Sequence, residues 1–251
     1  MKEFRLKLIN RIDEIASSLN EEFIQNGSIS ENLLKTIFRL YSSARIEQEL
    51  KNQYFEAAYH PPITGELEFL ISRILYHYSK SKELNWKILL RKQENRTSPD
   101  IRIISKNKTI AIIEIKANGG WIQPFLSKAR YDHDRDRKNA MITNFDPDDF
   151  IAKQKKQLEK YQITFNLKPE DIFYFLPTLA AVHRKKDGTT LDDYYKYFSA
   201  VSGLPHSNFV LLSSNLYLKL SNNPTIENLC PLMSFENMVD TIRNKTYSCL
   251  L

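Results

Sequence analysis

Glycine is scarce, at six residues in 251, and no segment repeats at a fixed period, which excludes a loop-rich or solenoid scaffold. Cysteine is scarcer still. Cys230 and Cys249 have no metal-ligand spacing and cannot build a disulfide framework, as expected in a reducing compartment. No apolar run approaches the roughly 18 residues of a membrane span. The opening "MKEFRLKLINRIDEI" lacks the apolar stretch of a signal peptide and reads as an amphipathic helix. The expectation is a cytoplasmic protein without membrane contact. His60, His77, His133, His183 and His206 are scattered without ligand spacing and read as structural or surface residues. A Gly-rich phosphate loop and a His–Glu metalloprotease signature are both missing, so no nucleotide cofactor is expected.

What is present is charge and helical patterning. Lys and Arg number 36 against 30 Asp and Glu, giving a formal charge of +6 and a pI near 9.1. That balance leans towards an anionic partner such as nucleic acid. Phe4, Leu8, Ile12, Ile15 and Leu19 recur at helical spacing. Asn26–Gly27 breaks that pattern, and Ser30 reads as the cap of a second helix. Residues 1–62 therefore read as an N-terminal helical region, an arm able to dimerise or clamp DNA, and 63–251 as the main domain. In the latter, "TGELEFLISRILYHYSK" is helical, "NWKILLRKQ" a strand, and "DIRIIS" and "KTIAIIEIK" two more. A helix through "DFIAKQKKQLEKYQI" and a strand in "DIFYFLPTLAAVHRK" follow. This mixed order predicts an α/β fold, a central mixed sheet flanked by helices in the order αβββαβ.

The middle strands hold a conflict. In "SPDIRIISKNKTIAIIEIKANGGW", Asp100, Glu114 and Lys116 stand among Ile and Ala residues that favour burial. Buried charge is costly unless it is paired or binds a metal. Alternation along a strand puts Glu114 and Lys116 on one face with Ile110 and Ile112, and Ala111, Ile113 and Ile115 on the other. Asp100 joins them only in one register. A two-residue loop at Lys106–Asn107 sets Asp100 opposite Ile113, on the wrong face. A three-residue loop, or a bulge, sets it opposite Glu114. Two carboxylates that close repel unless a cation lies between them, and oxygen donors suit Mg²⁺ or Mn²⁺.

Pro99–Asp100, thirteen intervening residues, then Glu114-Ile115-Lys116 resembles the PD-(D/E)xK nuclease superfamily, and most of all a type II restriction endonuclease. The resemblance covers about residues 63–186 and implies the αβββαβ restriction-endonuclease-like core. It implies a Mg²⁺-dependent enzyme, with Mn²⁺ as a substitute. Asp100, Glu114 and the Ile115 carbonyl would hold the metal, and Lys116 would orient or deprotonate the attacking water. The family often adds a glutamate from the preceding helix; Glu68 fits best and Glu66 is the fallback. Some relatives carry Gln-x-x-x-Tyr on the helix after the catalytic strand, which Gln157 and Tyr161 match.

The implied activity is sequence-specific cleavage of double-stranded DNA by a homodimer, leaving 5′-phosphates. Two other readings stand beside it. One is a structure-specific or DNA-repair nuclease of the same fold. The other is a DNA-binding module without catalysis. The polar stretch after the glycines, "KARYDHDRDRKN", offers Arg130, Arg135, Arg137, Lys138 and Asn139 as contacts to phosphates or base edges.

Overall fold

The structure of the protein, a computed structural model, describes residues 2–52, 64–116, 147–179, 190–216, 218 and 228–248. Two long helices come first, α1 (Lys2–Asn26) and α2 (Ser30–Asn52). Then follow α3 (Thr64–Ser81), β1 (Lys87–Leu90), β2 (Ile101–Ser105) and β3 (Lys108–Ile115). After these come α4 (Pro147–Phe165), β4 (Ile172–Leu176), α5 (Leu191–Ser202), β5 (Phe209–Leu211) and α6 (Ser234–Ser248). The expected order of one helix, three strands, one helix and one strand is present, and α5, β5 and α6 extend it.

The five strands form one mixed sheet in the order β1-β2-β3-β4-β5. The first three pair antiparallel, while β3, β4 and β5 are parallel. Parallel neighbours require crossovers, and the two present, α4 and α5, cover one face of the sheet, while α3 and α6 cover the other. One face packs Ile101, Ile103, Ala111, Ile113 and Ile115 against Leu67, Ile71 and Ile74 of α3 and Phe235 and Met238 of α6. The other packs Ile112, Ile172 and Tyr174 against Leu158, Tyr161 and Phe165 of α4 and Tyr194 of α5. This two-sided cover explains the near-continuous apolar run of β3. Each fully buried Ile or Leu contributes roughly 1.5–3 kcal/mol of transfer free energy.

The hairpin joining β2 and β3 decides which residues meet. Ser105 pairs with Lys108 across a two-residue turn. Lys106 and Asn107 both have positive φ, 49° and 64°, as a tight hairpin turn of the mirror-image type needs. Ile104 pairs with Thr109, but Ile103 pairs with Ala111, so Ile110 is an extra residue bulged into β3. The bulge turns Ile110 into the cluster of Ala111 and Ile113, not onto the face of Ile112 where strict alternation puts it. From there Ile101 pairs with Ile113, and one further step sets Asp100 opposite Glu114.

The N-terminal helices share the same core. Ile12, Ala16 and Leu19 of α1 and Leu33, Leu34 and Ile37 of α2 belong to the cluster formed by α3 and the sheet. Asp13 ties α1 to α3 through Arg73, with Oδ1 to Nε at 2.5 Å and Oδ2 to Nη2 at 3.1 Å, and lies 2.8 Å from His77 Nε2. Ser30 is not the cap that its residue type suggests. Its hydroxyl donates to Glu236 and to the Leu232 carbonyl at 2.6 Å. Glu236, buried on α6, supplies the cap itself. Its Oε1 accepts from the backbone N–H groups of Ile29 and Ser30 at 2.8 and 2.9 Å. A carboxylate at those N–H groups also meets the positive end of the α2 dipole.

Candidate active site

Beyond its pairing with β3, β2 is preceded by Pro99, which has no N–H to continue the ladder. Asp100 takes over. Its Oδ2 accepts from Ile115 N–H at 2.8 Å. In a strand the carbonyl of a residue projects to the same side as its own N–H, so the Ile115 carbonyl faces the Asp100 side as well. One residue on, Lys116 N–H donates to the Phe175 carbonyl at 2.9 Å, on the β4 side. The site therefore sits over the end of the sheet where β3 stops, within reach of helices from both faces.

Glu114 is 3% exposed on a central strand, so it is not the solvent face of a sheet edge. Both its oxygens are engaged. Oε2 accepts from Lys116 Nζ at 3.2 Å, and Oε1 accepts from the Tyr161 hydroxyl at 2.6 Å. Gln157 Nε2 in turn donates to the Tyr161 hydroxyl oxygen at 2.6 Å. The i,i+4 pair on α4 thus reaches the carboxylate from above the sheet. Burial pushes the Glu114 carboxyl above its ordinary range, the charge of Asp100 pushes it further, and Lys116 and Tyr161 oppose the shift. Tyr161 is itself pushed far up by burial and by Glu114, so it stays a proton donor. Tyr174, which pairs with Glu114 across the β3–β4 ladder, is pushed up by its own burial and by the charges of Glu114 and Asp100.

Glu68 enters from α3 on the other side of the sheet. It is 1% exposed and hydrogen-bonds the Arg91 guanidinium, just past β1. Burial raises its carboxyl above the usual range, with the Arg91 hydrogen bond opposing and Asp100 adding to the rise. It therefore feels the same charges as Glu114. Glu66, two residues earlier on α3, is partly exposed and shows no hydrogen bond to these groups. Between the two glutamates named from the sequence, the geometry selects Glu68.

Arg91 carries no distinguishing mark in the sequence. The signal is a cation directly after an apolar strand, which any solvated loop also offers. Its importance comes from position: it neutralises Glu68, and its backbone N–H donates to the Asp100 carbonyl at 2.9 Å. Arg130, Arg135, Arg137, Lys138 and Asn139 lie outside the described residues.

Three carboxylates, Glu68, Asp100 and Glu114, face two cations, Arg91 and Lys116. Among the described residues, no three His, Cys, Asp or Glu side chains lie close enough to hold a metal ion by themselves. The donor set on offer is smaller: the carboxylates of Asp100 and Glu114 and the Ile115 carbonyl. All are hard oxygens, and Mg²⁺ commonly accepts one or two carboxylates while keeping several waters. The repulsion that raises Glu114 is relieved by a cation at this point. The residues present thus fit a small divalent ion completed by water. No helix among the described residues is long and apolar enough to cross a membrane.

No family model matches the chain, and no curated protein or solved structure matches it.

Proposed function

We propose that the protein is a divalent-metal-dependent endonuclease of the PD-(D/E)xK type, acting on double-stranded DNA as a restriction enzyme does. One observation carries the reading. The bulge at Ile110 and the hydrogen bond from Ile115 N–H to Asp100 set Asp100 against Glu114 and Lys116 at one end of a mixed sheet.

A bound divalent ion supplies Lewis acidity to a phosphoryl oxygen and lowers the pKa of a bound water. The chain's own groups do the rest. Asp100 and Glu114 present hard oxygens in fixed orientation, each held by a partner. Lys116, partly exposed beside Glu114, is placed to orient an attacking water and to offset charge developing on the phosphate. Water attacks phosphorus, the bond to the 3′ oxygen breaks, and that oxygen takes a proton, leaving a 5′-phosphate. Action as a homodimer on a palindromic site belongs to the same proposal.

The test is digestion of plasmid and phage DNA with Mg²⁺ or Mn²⁺, with sequencing of the ends. Discrete fragments support a sequence-specific enzyme. Cleavage confined to branched or damaged DNA favours the repair reading instead. No cleavage of any DNA across pH 6–9 with either ion sinks the proposal.

A further inference from the structure

The segment between β1 and β2, residues 91–100, is short of apolar side chains and rich in bracing. Glu94 and Thr97 exchange two backbone hydrogen bonds of 2.8 Å around a tight turn. Asn95 and Arg96 at its tip have φ of 49° and 59°, and Arg91 at its base has φ of 45°. A non-glycine residue in that region costs free energy and persists only where its surroundings hold it.

Hydrogen bonds from separate places do the holding. Arg102, 4% exposed on β2, lies over the Phe165 ring at 4.6 Å and donates to Glu94 Oε2 at 2.5 Å. Ser98 Oγ donates to the Arg91 carbonyl at 3.0 Å. Arg91 N–H donates to the Asp100 carbonyl at 2.9 Å. Lys160 Nζ, from α4, donates to the Arg96 carbonyl at 2.7 Å. The turn is therefore held in one position relative to β2 and α4.

The braced turn carries Lys92 and Arg96 as exposed cations. Lys160 brings the flank of α4 alongside, and Lys153 and Lys156, also exposed, stand seven and four residues before it on the same helical stripe. The only carboxylate of the turn, Glu94, is occupied by Arg102. A fixed row of cations thus leads from the turn along α4, beside Gln157 and Tyr161 and hence beside Glu114.

We infer that the 91–98 turn and the Lys153–Lys156–Lys160 stripe form a rigid ledge that seats the phosphate backbone of duplex DNA beside the carboxylate site. This rests on the nuclease reading for its substrate. It adds Lys92, Arg96 and the α4 lysines to the contacts expected from the sequence at 128–139. A lipid surface is a poorer match, since residues 92–98 offer no apolar side chain to insert.

The experiment uses the Lys116→Ala chain with Mg²⁺, so that the DNA stays intact. Duplex affinity is measured by fluorescence anisotropy from 50 to 300 mM KCl. The ledge variant adds Lys92→Gln, Arg96→Gln, Lys153→Gln and Lys156→Gln, all at exposed positions. A control variant adds Lys82→Gln, Lys87→Gln and Lys108→Gln, exposed residues away from the Asp100 end of the sheet. The slope of log Kd against log salt should flatten by about 0.9 for each phosphate that is no longer neutralised, or roughly 2–4 in all for the ledge variant. The control should keep the parent slope. A ledge variant with the parent slope overturns the inference, as does a control that flattens as much, or a parent chain that binds no duplex. Parent binding through the ledge with no cleavage by the wild-type chain sinks the nuclease reading and leaves the ledge standing. Cleavage by a wild-type chain whose ledge variant keeps the parent slope does the reverse.

Discussion

The Tyr161 hydroxyl donates to Glu114 Oε1 across 2.6 Å, linking the helix over the sheet to the strand beneath it. Both groups are buried, so neither finds a substitute partner in water. Tyr161→Phe removes the donor and leaves a buried acceptor short. The expected cost is about 1–3 kcal/mol in stability. If Glu114 holds the metal as proposed, this hydrogen bond also orients the ligand, and activity or Mg²⁺ affinity should fall about 10- to 100-fold. Thermal melts and Mg²⁺ titrations of cleavage rate check the two effects separately. Unchanged cleavage with a lowered melting temperature would confine Tyr161 to a structural role.

The two glutamates of α3 should separate cleanly. Glu68→Gln weakens the pairing with Arg91 and removes a charge from the cluster around Asp100 and Lys116. Cleavage is expected to fall by about 100-fold or more, the scale seen when a charge-stabilising group is removed. Glu66→Gln should leave the rate within about twofold, and stability within about 0.5 kcal/mol, as for an ordinary surface change. Equal losses for both variants would contradict the assignment.

The hairpin turn carries two residues with positive φ and neither is glycine. Lys106→Asn with Asn107→Gly gives that turn its favoured pair. A gain of about 0.5–1 kcal/mol is expected in urea unfolding, with no change of m-value. A loss would show that the turn or the bulge differs from the register described.

Asp13 tests the junction of α1 with α3. Its hydrogen bond from Arg73 holds its carboxyl below the usual range, with His77 contributing and slight burial opposing. A depressed folded-state pKa adds stability above the unfolded value, and that stability is lost as pH falls through the folded value. Asp13→Asn should therefore lower the melting temperature at pH 7, by an amount set by roughly 0.5–1 kcal/mol for this partly exposed cluster. The difference should shrink as pH falls below the ordinary aspartate value of about 4 and be lost once the folded-state carboxyl is protonated, measured by melts at successively lower pH. A constant difference at all pH values would remove the electrostatic explanation.

Much of this architecture can be read from local pattern. The apolar stripe of α3, the short β-branched runs of β2 and β3, and the i,i+4 spacing of Gln157 and Tyr161 each depend on neighbours close in the chain. What could not be read depends on distant ones. The bulge at Ile110 is stabilised by packing against the Ala111 and Ile113 side of the sheet, so strict alternation assigns Ile110 to the wrong face. Ser30 looks like a helix cap because capping is normally local, yet the capping oxygen comes from Glu236, 206 positions away. Arg91 gains its meaning only when α3 brings Glu68 beside it. Glu114 and Lys116 share a face by simple alternation, but their meeting with Asp100 required the turn and bulge together.

The bond between Glu236 and the start of α2 has a consequence for synthesis. A ribosome makes α1 and α2 early, but the oxygen that satisfies Ile29 and Ser30 belongs to a residue translated more than 200 positions later. Until then the first helices have their apolar faces ready and their anchor missing, the condition in which nascent chains recruit chaperones. The first turn of α2 is therefore completed only by a residue of α6. α1 finds its partner Arg73 in α3, whereas the first turn of α2 stays open until α6 is in place.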